Sequence, residues 1–290
     1  MRAWVNGFPL NDLNTAVFVH DAIEGLSVPA IRRATGKNMG QNGTWHGRPL
    51  FDSRNIGIPV TIGARNSIEE FEAARDALTN ALLERDGEVE LRLIRNDGVA
   101  RILYCYVRDP DIPYGPNALF TRFSLELVAD DPIVYDDTPG ASFVSPLVRR
   151  KGGGAFTSPG KFPLKFTAGS GTPAIVNSGT VEVYPVIKLT GSMTTPTISN
   201  HTTGAVMTLD ITTGTSDVVL INNAPHEVTM DNGTKLAPHS VMLNGSSVYA
   251  KKSGSWLSVP PGASDFDLTT GSTSDTVVGE VSWRSGYLSV

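Results

Sequence analysis

The sequence has little of the chemistry that enzymes and membrane proteins use. Cys105 is the only cysteine among 290 residues, which excludes an internal disulfide and a zinc site built from several thiolates. No apolar run approaches the roughly 18 residues that cross a membrane. The first ten residues, MRAWVNGFPL, also lack the apolar core of a secretory signal. We therefore predict a protein that is made and folded in a reducing cytoplasm and has no membrane partner.

Charge is scarce as well. Charged residues make up 18 % of the chain, against about a quarter in an ordinary soluble domain. The net charge is −5, which argues against a protein that binds nucleic acid with its whole surface, because such binding neutralises phosphates with Lys and Arg. We interpret the short basic run Arg149-Arg150-Lys151 as part of a solvated linker, with docking on an acidic neighbour as the alternative.

No constellation of catalytic or metal-binding residues is visible. No histidine stands three or four residues from another, so helix-borne metal pairs are absent, and we interpret all five as surface or hydrogen-bonded side chains: His20, His46, His201, His226 and His239. Cys105 alternates with Leu103 and Val107, which is typical of a core position in a strand. Gly160-Lys161 lacks the spacing of a phosphate loop.

One acidic cluster, Asp130, Asp131, Asp136 and Asp137, leaves two interpretations open. A calcium site is conceivable because hard cations bind several carboxylates. The spacing and glycine of an EF-hand are missing, however, and a solvated turn after a strand explains the cluster as well. We therefore predict no catalytic, cofactor-binding or metal-binding residue, no cofactor and no enzymatic activity.

The sequence instead contains many short strands and one helix. Asn6-Gly7 and Asn96-Asp97-Gly98 predict hairpin turns, the second between strands in the range 89–107. Further strands are predicted over residues 28–35, 48–63 and 119–128, with a glycine-rich loop over 36–47 that is mobile or contacts a partner. Ser67 and Glu70 have the spacing of a helix capping box. The predicted apolar face follows with Ile68, Phe71, Ala74, Leu78, Ala81 and Leu82, and Gly87 is expected to end the helix.

Composition divides the chain into three parts. Residues 1–136 hold the helix and the longer strands. Residues 137–165 are rich in Pro, Gly and Ser and include Gly152 to Gly154, which predicts a linker arm. Residues 166–290 contain short strands separated by Gly-, Asn- or Pro-containing turns, which predicts a β-sandwich. The expected fold class is mainly β, with one α-helix in the first domain.

The order of these features resembles the distal tail proteins, or closely related minor tail proteins, of long-tailed siphophages. In the first half the resemblance covers the strand RNIGIPV at 54–60, the helix from Ser67, the hairpin at 89–107 and the strand ending at Asp131-Pro132. In the second half it covers FPLKF (162–166), VNSGT (176–180), YPVI (184–187), ISN (198–200), TG (203–204), WLSVPPG (256–262) and VSWRSGY (281–287). It implies a ring-forming belt domain with a β-sandwich-like fold and a galectin-like C-terminal β-sandwich.

The resemblance implies a structural role in the virion. Such proteins assemble, typically as hexamers, into a ring that joins the tail tube to the tip or baseplate and leaves a channel for the genome. The implied partners are further copies of the chain, the tail tube protein and tail tip proteins. The implied location is the tail tip, after synthesis in the host bacterial cytoplasm. We expect the first half to form the ring, the second half to decorate it, and DNA to pass without stable binding.

Two other functions remain open. The C-terminal domain could be a carbohydrate-binding module that attaches the virion to its host, because sugar sites commonly stack an aromatic ring against the sugar. Trp45, Trp256 and Trp283 are candidates by residue type, with a core or interface position as the alternative for each. A hydrolase is the third interpretation, and the missing catalytic constellation argues against it.

Overall fold

The computed structural model describes residues 1–12, 14–64, 67–83, 87–109, 111–114, 119–138, 143–149, 172–230 and 234–290. Strands dominate these ranges, beside one α-helix, α1 (Ile68–Leu82), and a 3-10 turn at Tyr249–Lys251. The predicted fold class, mainly β with one helix, is therefore confirmed. Within the described part of the chain, no helix combines the length and apolarity needed to cross a bilayer. Gly152 to Gly154, Gly160-Lys161 and the motif at 162–166 lie outside the described residues.

Most of the strands are short, and the longest ones lie in the first half. The first half contains β1 Arg2–Val5, β2 Phe8–Leu10, β3 Val17–Val19, β4 Ile31–Arg32, β5 Thr35–Lys37, β6 Thr44–His46, β7 Leu50–Phe51, β8 Arg54–Gly63, β9 Val89–Ile94, β10 Ala100–Asp109, β11 Phe120–Ala129 and β12 Val134–Asp136. The second half contains β13 Phe143–Leu147, β14 Ile175–Asn177, β15 Val186–Thr190, β16 Met193–Thr194, β17 Thr197–Asn200, β18 Ala205–Leu209, β19 Thr212–Thr213, β20 Val218–Asn222, β21 Val228–Thr229, β22 Lys235–Leu236, β23 Ser240–Leu243, β24 Ser246–Ser247, β25 Lys252–Gly254, β26 Gly262–Ser264, β27 Phe266–Thr269, β28 Val278–Trp283 and β29 Gly286–Tyr287.

The chain divides into two compact units that do not coincide with the three predicted parts. Unit 1 comprises Met1–Pro139 and Tyr287–Val290, and unit 2 comprises Gly140–Gly286. Strand β13 pairs with β28 inside unit 2, although composition assigned its residues to the linker. This strand was not predicted because it contains Pro146, and proline is uncommon in strands. Proline is tolerated there because β13 lies at the edge of its sheet.

Unit 1 is an antiparallel sheet in the order β2-β1-β9-β10-β11-β8-β3. The ten-residue strand β10 pairs with β9 through Ala100–Cys105 and with β11 through its second half. The strands on the β9 side of β10 and those on the β11 side contribute buried side chains to one apolar cluster. The whole sheet therefore has a single core. In β8 alternate residues from Ile56 to Ile62 are buried, which is the period of a strand with one face in the core.

Helix α1 closes this core. The hydroxyl of Ser67 accepts a hydrogen bond from the Glu70 amide at 3.2 Å, so the predicted N-cap is confirmed. The face formed by Phe71, Ala74, Leu78 and Leu82 is buried, and the helix contacts β8 and β2. Two details differ from the prediction: Ile68 is exposed, and the helix ends at Leu82 rather than at Gly87.

The segment after unit 2 returns to unit 1 and is bound there by two arginines. Tyr287 pairs through β29 with β12, and the guanidinium of Arg101 lies 3.9 Å from the centre of its ring. The Val290 amide donates to the Leu26 carbonyl at 3.2 Å. Arg54 is 2 % exposed, and its five N–H groups donate to the carbonyls of Gly25, Ser27, Pro132 (twice) and Leu288. Backbone from three distant parts of the chain therefore meets at one guanidinium.

Unit 2 contains two larger antiparallel sheets, in the orders β13-β28-β15-β20-β23-β24 and β25-β18-β17-β27. Three two-stranded sheets accompany them: β14-β26, β16-β19 and β21-β22. Both larger sheets contribute fully buried apolar side chains, such as Ile187 and Val281 from one and Met207 and Leu268 from the other. This is the packing expected of a β-sandwich.

Candidate functional site

The acidic cluster does not converge on a common point. Its carboxylates have separate partners inside unit 1. The hydroxyl of Tyr135 donates a hydrogen bond to Asp131 at 2.6 Å. Arg101 forms an ion pair with Asp136 at 3.0 Å, and Arg92 forms one with Asp137. No group of three or more His, Cys, Asp or Glu side chains with metal-binding geometry occurs within the described ranges. Asp131 is buried and Asp136 and Asp137 are partly buried, so the interpretation as a solvated turn is wrong for these three residues. The absence of a metal stays a prediction.

The single cysteine has a packing role. Cys105 is completely buried in the core of unit 1, and burial raises the pKa of its thiol well above its usual value. A thiol held in the protonated form is a poor nucleophile. Among the histidines, His20 shares a 2.9 Å hydrogen bond with the Thr61 hydroxyl, and His201 lies 3.7 Å from the Asp267 carboxylate. These contacts need no ligand to explain them.

The three tryptophans selected as aromatic candidates differ in their surroundings. Trp283 is almost fully buried, and its indole donates to the Val176 carbonyl at 3.0 Å, which is a core position. Trp45 is 51 % exposed in unit 1. Trp256 is partly exposed in unit 2 and contacts other aromatic rings.

The basic run at 149–151 differs from its interpretation at the one position that the structure describes. Arg149 does not extend into solvent, because its guanidinium donates to the backbone carbonyls of Ser272 and Asp275. Arg150 and Lys151 lie outside the described residues.

The described residues of unit 1 include an exposed β-ribbon, residues 31–51, which we call the arm. It consists of two consecutive strand pairs, β4 with β7 and β5 with β6. Every residue of the arm except Gly36 and Gly47 is exposed. A two-stranded ribbon without a packed face is only marginally stable in water. The described part of the chain therefore provides no surface that would stabilise the arm.

The composition of the arm indicates what such a surface would be. Five large apolar side chains are exposed on it: Ile31 (55 %), Met39 (98 %), Trp45 (51 %), Leu50 (48 %) and Phe51 (40 %). The arm also carries four cations, Arg32, Arg33, Lys37 and Arg48, and no carboxylate. The whole chain has a net charge of −5, and the arm contributes +4, which leaves −9 for the remainder. An apolar surface with acidic surroundings would complement the arm, and the chain itself offers the acidic charge.

Comparison with known proteins gives a likeness of fold. No protein-family model matches the sequence, and no curated protein matches it. The crystal structure of the phage SPP1 Dit protein (gp 19.1) superposes with a TM-score of 0.60 over 98 % of this chain and 98 % of that chain, at 12 % identity. The chain shares the fold of the SPP1 Dit protein. That protein is described as a paradigm of the hub adsorption apparatus in phages that infect Gram-positive bacteria.

Two further structures belong to the baseplate of phage p2. In the activated conformation with Sr, a chain matches with a TM-score of 0.47 and 13 % identity, over 93 % of this chain and 91 % of that chain. In the activated conformation with Ca, the TM-score is 0.45 and the identity 14 %, over 92 % and 90 % of the two chains. The SPP1 Dit likeness spans both units, so the fold implied by the resemblance to distal tail proteins is confirmed.

The arm is the feature that the sequence analysis described least well. Residues 36–47 were predicted to form a loop, whereas Thr35–Lys37 and Thr44–His46 form a ribbon. Glycines and asparagines dominate the turn between these strands, and Gly40 and Gly43 adopt positive φ angles of 73° and 107°. The strand-forming residues Thr44 and Trp45 were the signal that could have located it.

Proposed function

We propose that the protein is a structural component of a phage tail, located at the tail tip after synthesis in the host cytoplasm. In this role it is a distal tail protein that forms a ring, typically a hexamer, joining the tail tube to the baseplate and leaving a passage for the genome. The observation that carries the proposal is the SPP1 Dit fold over 98 % of both chains. The proposed role is structural rather than enzymatic.

The arm supports the ring-forming part of this proposal. It combines exposed apolar side chains with four cations, while the rest of the chain is acidic. A second copy of the chain is therefore an electrostatically suitable partner for it. Because the arm and the acidic remainder of the chain belong to the same molecule, each copy can contribute its arm to one neighbour and receive the arm of another. Such a head-to-tail contact closes into a ring when its rotation permits.

We expect the full-length protein to form rings, and Trp45→Ala to weaken their assembly by about tenfold or more, which is the usual loss for a central interface aromatic. Arg48→Glu should also weaken assembly, by reversing one charge of the arm. Light scattering after size exclusion, over a range of protein concentrations, measures the association, and negative-stain microscopy shows the particle shape. Circular dichroism of each variant checks that the fold is unchanged.

Val278→Ala is the matched control for these variants. Its side chain is 65 % exposed on β28 of unit 2, outside the arm. The control should assemble like the wild type. A wild-type protein that stays monomeric at all concentrations contradicts the ring, whereas rings that persist in both arm variants show that the arm is not the contact.

A tail channel must let DNA pass without holding it. Each Lys or Arg that pairs with a phosphate releases counterions and adds affinity. With a net charge of −5 and the basic arm engaged by another copy, we expect no measurable binding of double-stranded DNA at physiological salt, despite the run at 149–151. A gel-shift titration measures this. Micromolar binding that weakens steeply with added salt would show that the basic residues bind DNA.

A further inference from the structure

Unit 2 has a group of aromatic side chains that lie outside its buried core. We call this group the aromatic cluster; it consists of Tyr184, His239, Tyr249 and Trp256, with Lys252 beside them. The rings of His239 and Trp256 lie with centroids 4.9 Å apart and planes at 33°. Tyr249 lies 6.2 Å from Trp256 at the same angle, and Tyr184 meets His239 edge-on at 6.4 Å. Tyr249 is 56 % exposed, and the other members are partly exposed. The cluster is therefore a continuous aromatic surface in contact with solvent.

A buried asparagine fixes the backbone that carries this surface. Asn223 is completely buried, and its side chain donates to the Pro185 carbonyl at 2.8 Å and accepts from the Leu257 amide at 3.0 Å. These two residues directly follow Tyr184 and Trp256 in the chain. The side-chain amide of Asn223 thus fixes the distance between the backbone segments that carry Tyr184 and Trp256. Supporting residues have the same role in a preorganised binding site.

The adjacent asparagine does the same for the third segment. Asn222 is also completely buried, and its side-chain amide donates to the carbonyls of His226, Leu236 and Ala237. This fixes the turn that leads to His239. The backbone of His239 has a φ of 47°, an unfavourable region for a residue with a side chain. Strain of this kind persists only where the surrounding structure imposes it, and it recurs at binding sites.

The electrostatics of the cluster are positive. The Lys252 ammonium lies 4.3 Å from the centre of the Trp256 ring and donates to the Gly254 carbonyl at 2.8 Å. Burial lowers the pKa of His239, a hydrogen bond with the Asn223 backbone opposes this, and the charges of Lys252 and His226 lower it further. The lowered pKa favours the neutral form of His239, so Lys252 is the cationic side chain of the cluster.

We propose that the aromatic cluster is a binding site for a saccharide that carries an acidic substituent, such as a uronic acid or a phosphate. A pyranose ring presents an apolar face of C–H groups that stacks on an aromatic ring, and Tyr249 offers the most open ring. Lys252 is placed to bind the acidic substituent. The same ammonium disfavours a quaternary amine, the other ligand class that aromatic surfaces select, because it already occupies the face of Trp256. This site is independent of the ring contact in the arm.

The test begins with the full-length wild-type protein on an array of neutral, uronic-acid-containing and phosphate-substituted bacterial glycans. We expect binding to acidic glycans. Isothermal titration with the strongest glycan then compares variants, and Tyr249→Ala and Trp256→Ala should each lose about tenfold or more in affinity. Lys252→Gln should bind the acidic glycan about three- to tenfold more weakly than the wild type. Its affinity for the carboxyl-reduced or dephosphorylated glycan should be unchanged.

Tyr114→Ala is the matched control, because Tyr114 is 63 % exposed in unit 1, remote in sequence from the cluster. It should bind the glycan like the wild type. Absence of acidic-glycan binding by the wild type overturns the proposal, and so does binding that survives Tyr249→Ala and Trp256→Ala. Light scattering of the same variants separates the two proposals, since loss of glycan binding with intact rings concerns this site alone. Loss of rings with intact glycan binding concerns the arm.

Discussion

Replacing Arg54 by methionine is expected to lower the free energy of unfolding of unit 1 by at least about 3 kcal/mol. The guanidinium uses all five of its N–H groups on backbone carbonyls, and it is buried. Methionine fills part of the volume but leaves these carbonyls without donors, and each unsatisfied buried group costs about 1–3 kcal/mol. Thermal unfolding followed by circular dichroism should show a melting temperature lower by about 10 °C.

Two comparisons make this experiment specific. Arg54→Lys keeps the charge but has three donors on a flexible stem. Its stability should therefore lie between that of the wild type and that of Arg54→Met. Arg108→Met removes a 59 % exposed guanidinium from β10 and should change stability by less than about 0.5 kcal/mol. In Arg54→Met, the amide of Val290 should also exchange faster with solvent, because the carbonyl of Leu288 has lost its donor. An Arg54→Met protein as stable as Arg108→Met would refute the anchoring role.

Phe71→Ala should cost roughly 3–5 kcal/mol of stability, the usual loss for a buried aromatic side chain. Phe71 is 1 % exposed on the inner face of α1 and belongs to the core cluster of unit 1. Its removal leaves a cavity between the helix and the sheet. Urea unfolding of the purified variant measures the difference in free energy.

The same helix supplies the control for Phe71→Ala. Ile68 is one turn earlier and 54 % exposed, so Ile68→Ala should leave stability within about 0.5 kcal/mol of the wild type. If Phe71→Ala unfolds at the wild-type urea concentration, the helix does not pack through this side chain. If both variants are equally destabilised, the burial of Phe71 does not explain its loss, since alanine is the better helix former at both positions.

Local features of this fold were predictable because their signals lie within a few residues. The turn at Asn6-Gly7 has φ angles of 49° and 80°, which asparagine and glycine tolerate, and the flanking strands pair around it. The cap at Ser67 and the alternation in β8 are equally local. Such signals predicted the strand-rich architecture and the single helix.

The features that depend on distant contacts were not predictable. Nothing in the neighbourhood of Arg54 indicates that it binds the carbonyl of Leu288, 234 residues later. Backbone carbonyls are present in every residue, so the sequence carries no sign of which ones an arginine will select. The aromatic cluster also depends on contacts between residues that are distant in the sequence. Trp256 was a candidate by residue type, but Tyr249, His239 and the supporting asparagines are brought to it by the pairing of strands.

The return of Tyr287–Val290 to unit 1 has a consequence for protein synthesis. A ribosome makes the chain from its N-terminus, and domains generally fold as units during this process. Unit 1 departs from that order, because Tyr287 and Leu288 are added only after the whole of unit 2 has been translated. Until then Arg101 and Arg54 lack part of their surroundings. We expect translation products that stop inside unit 2 to be less stable in unit 1, and so to be degraded more readily than complete chains.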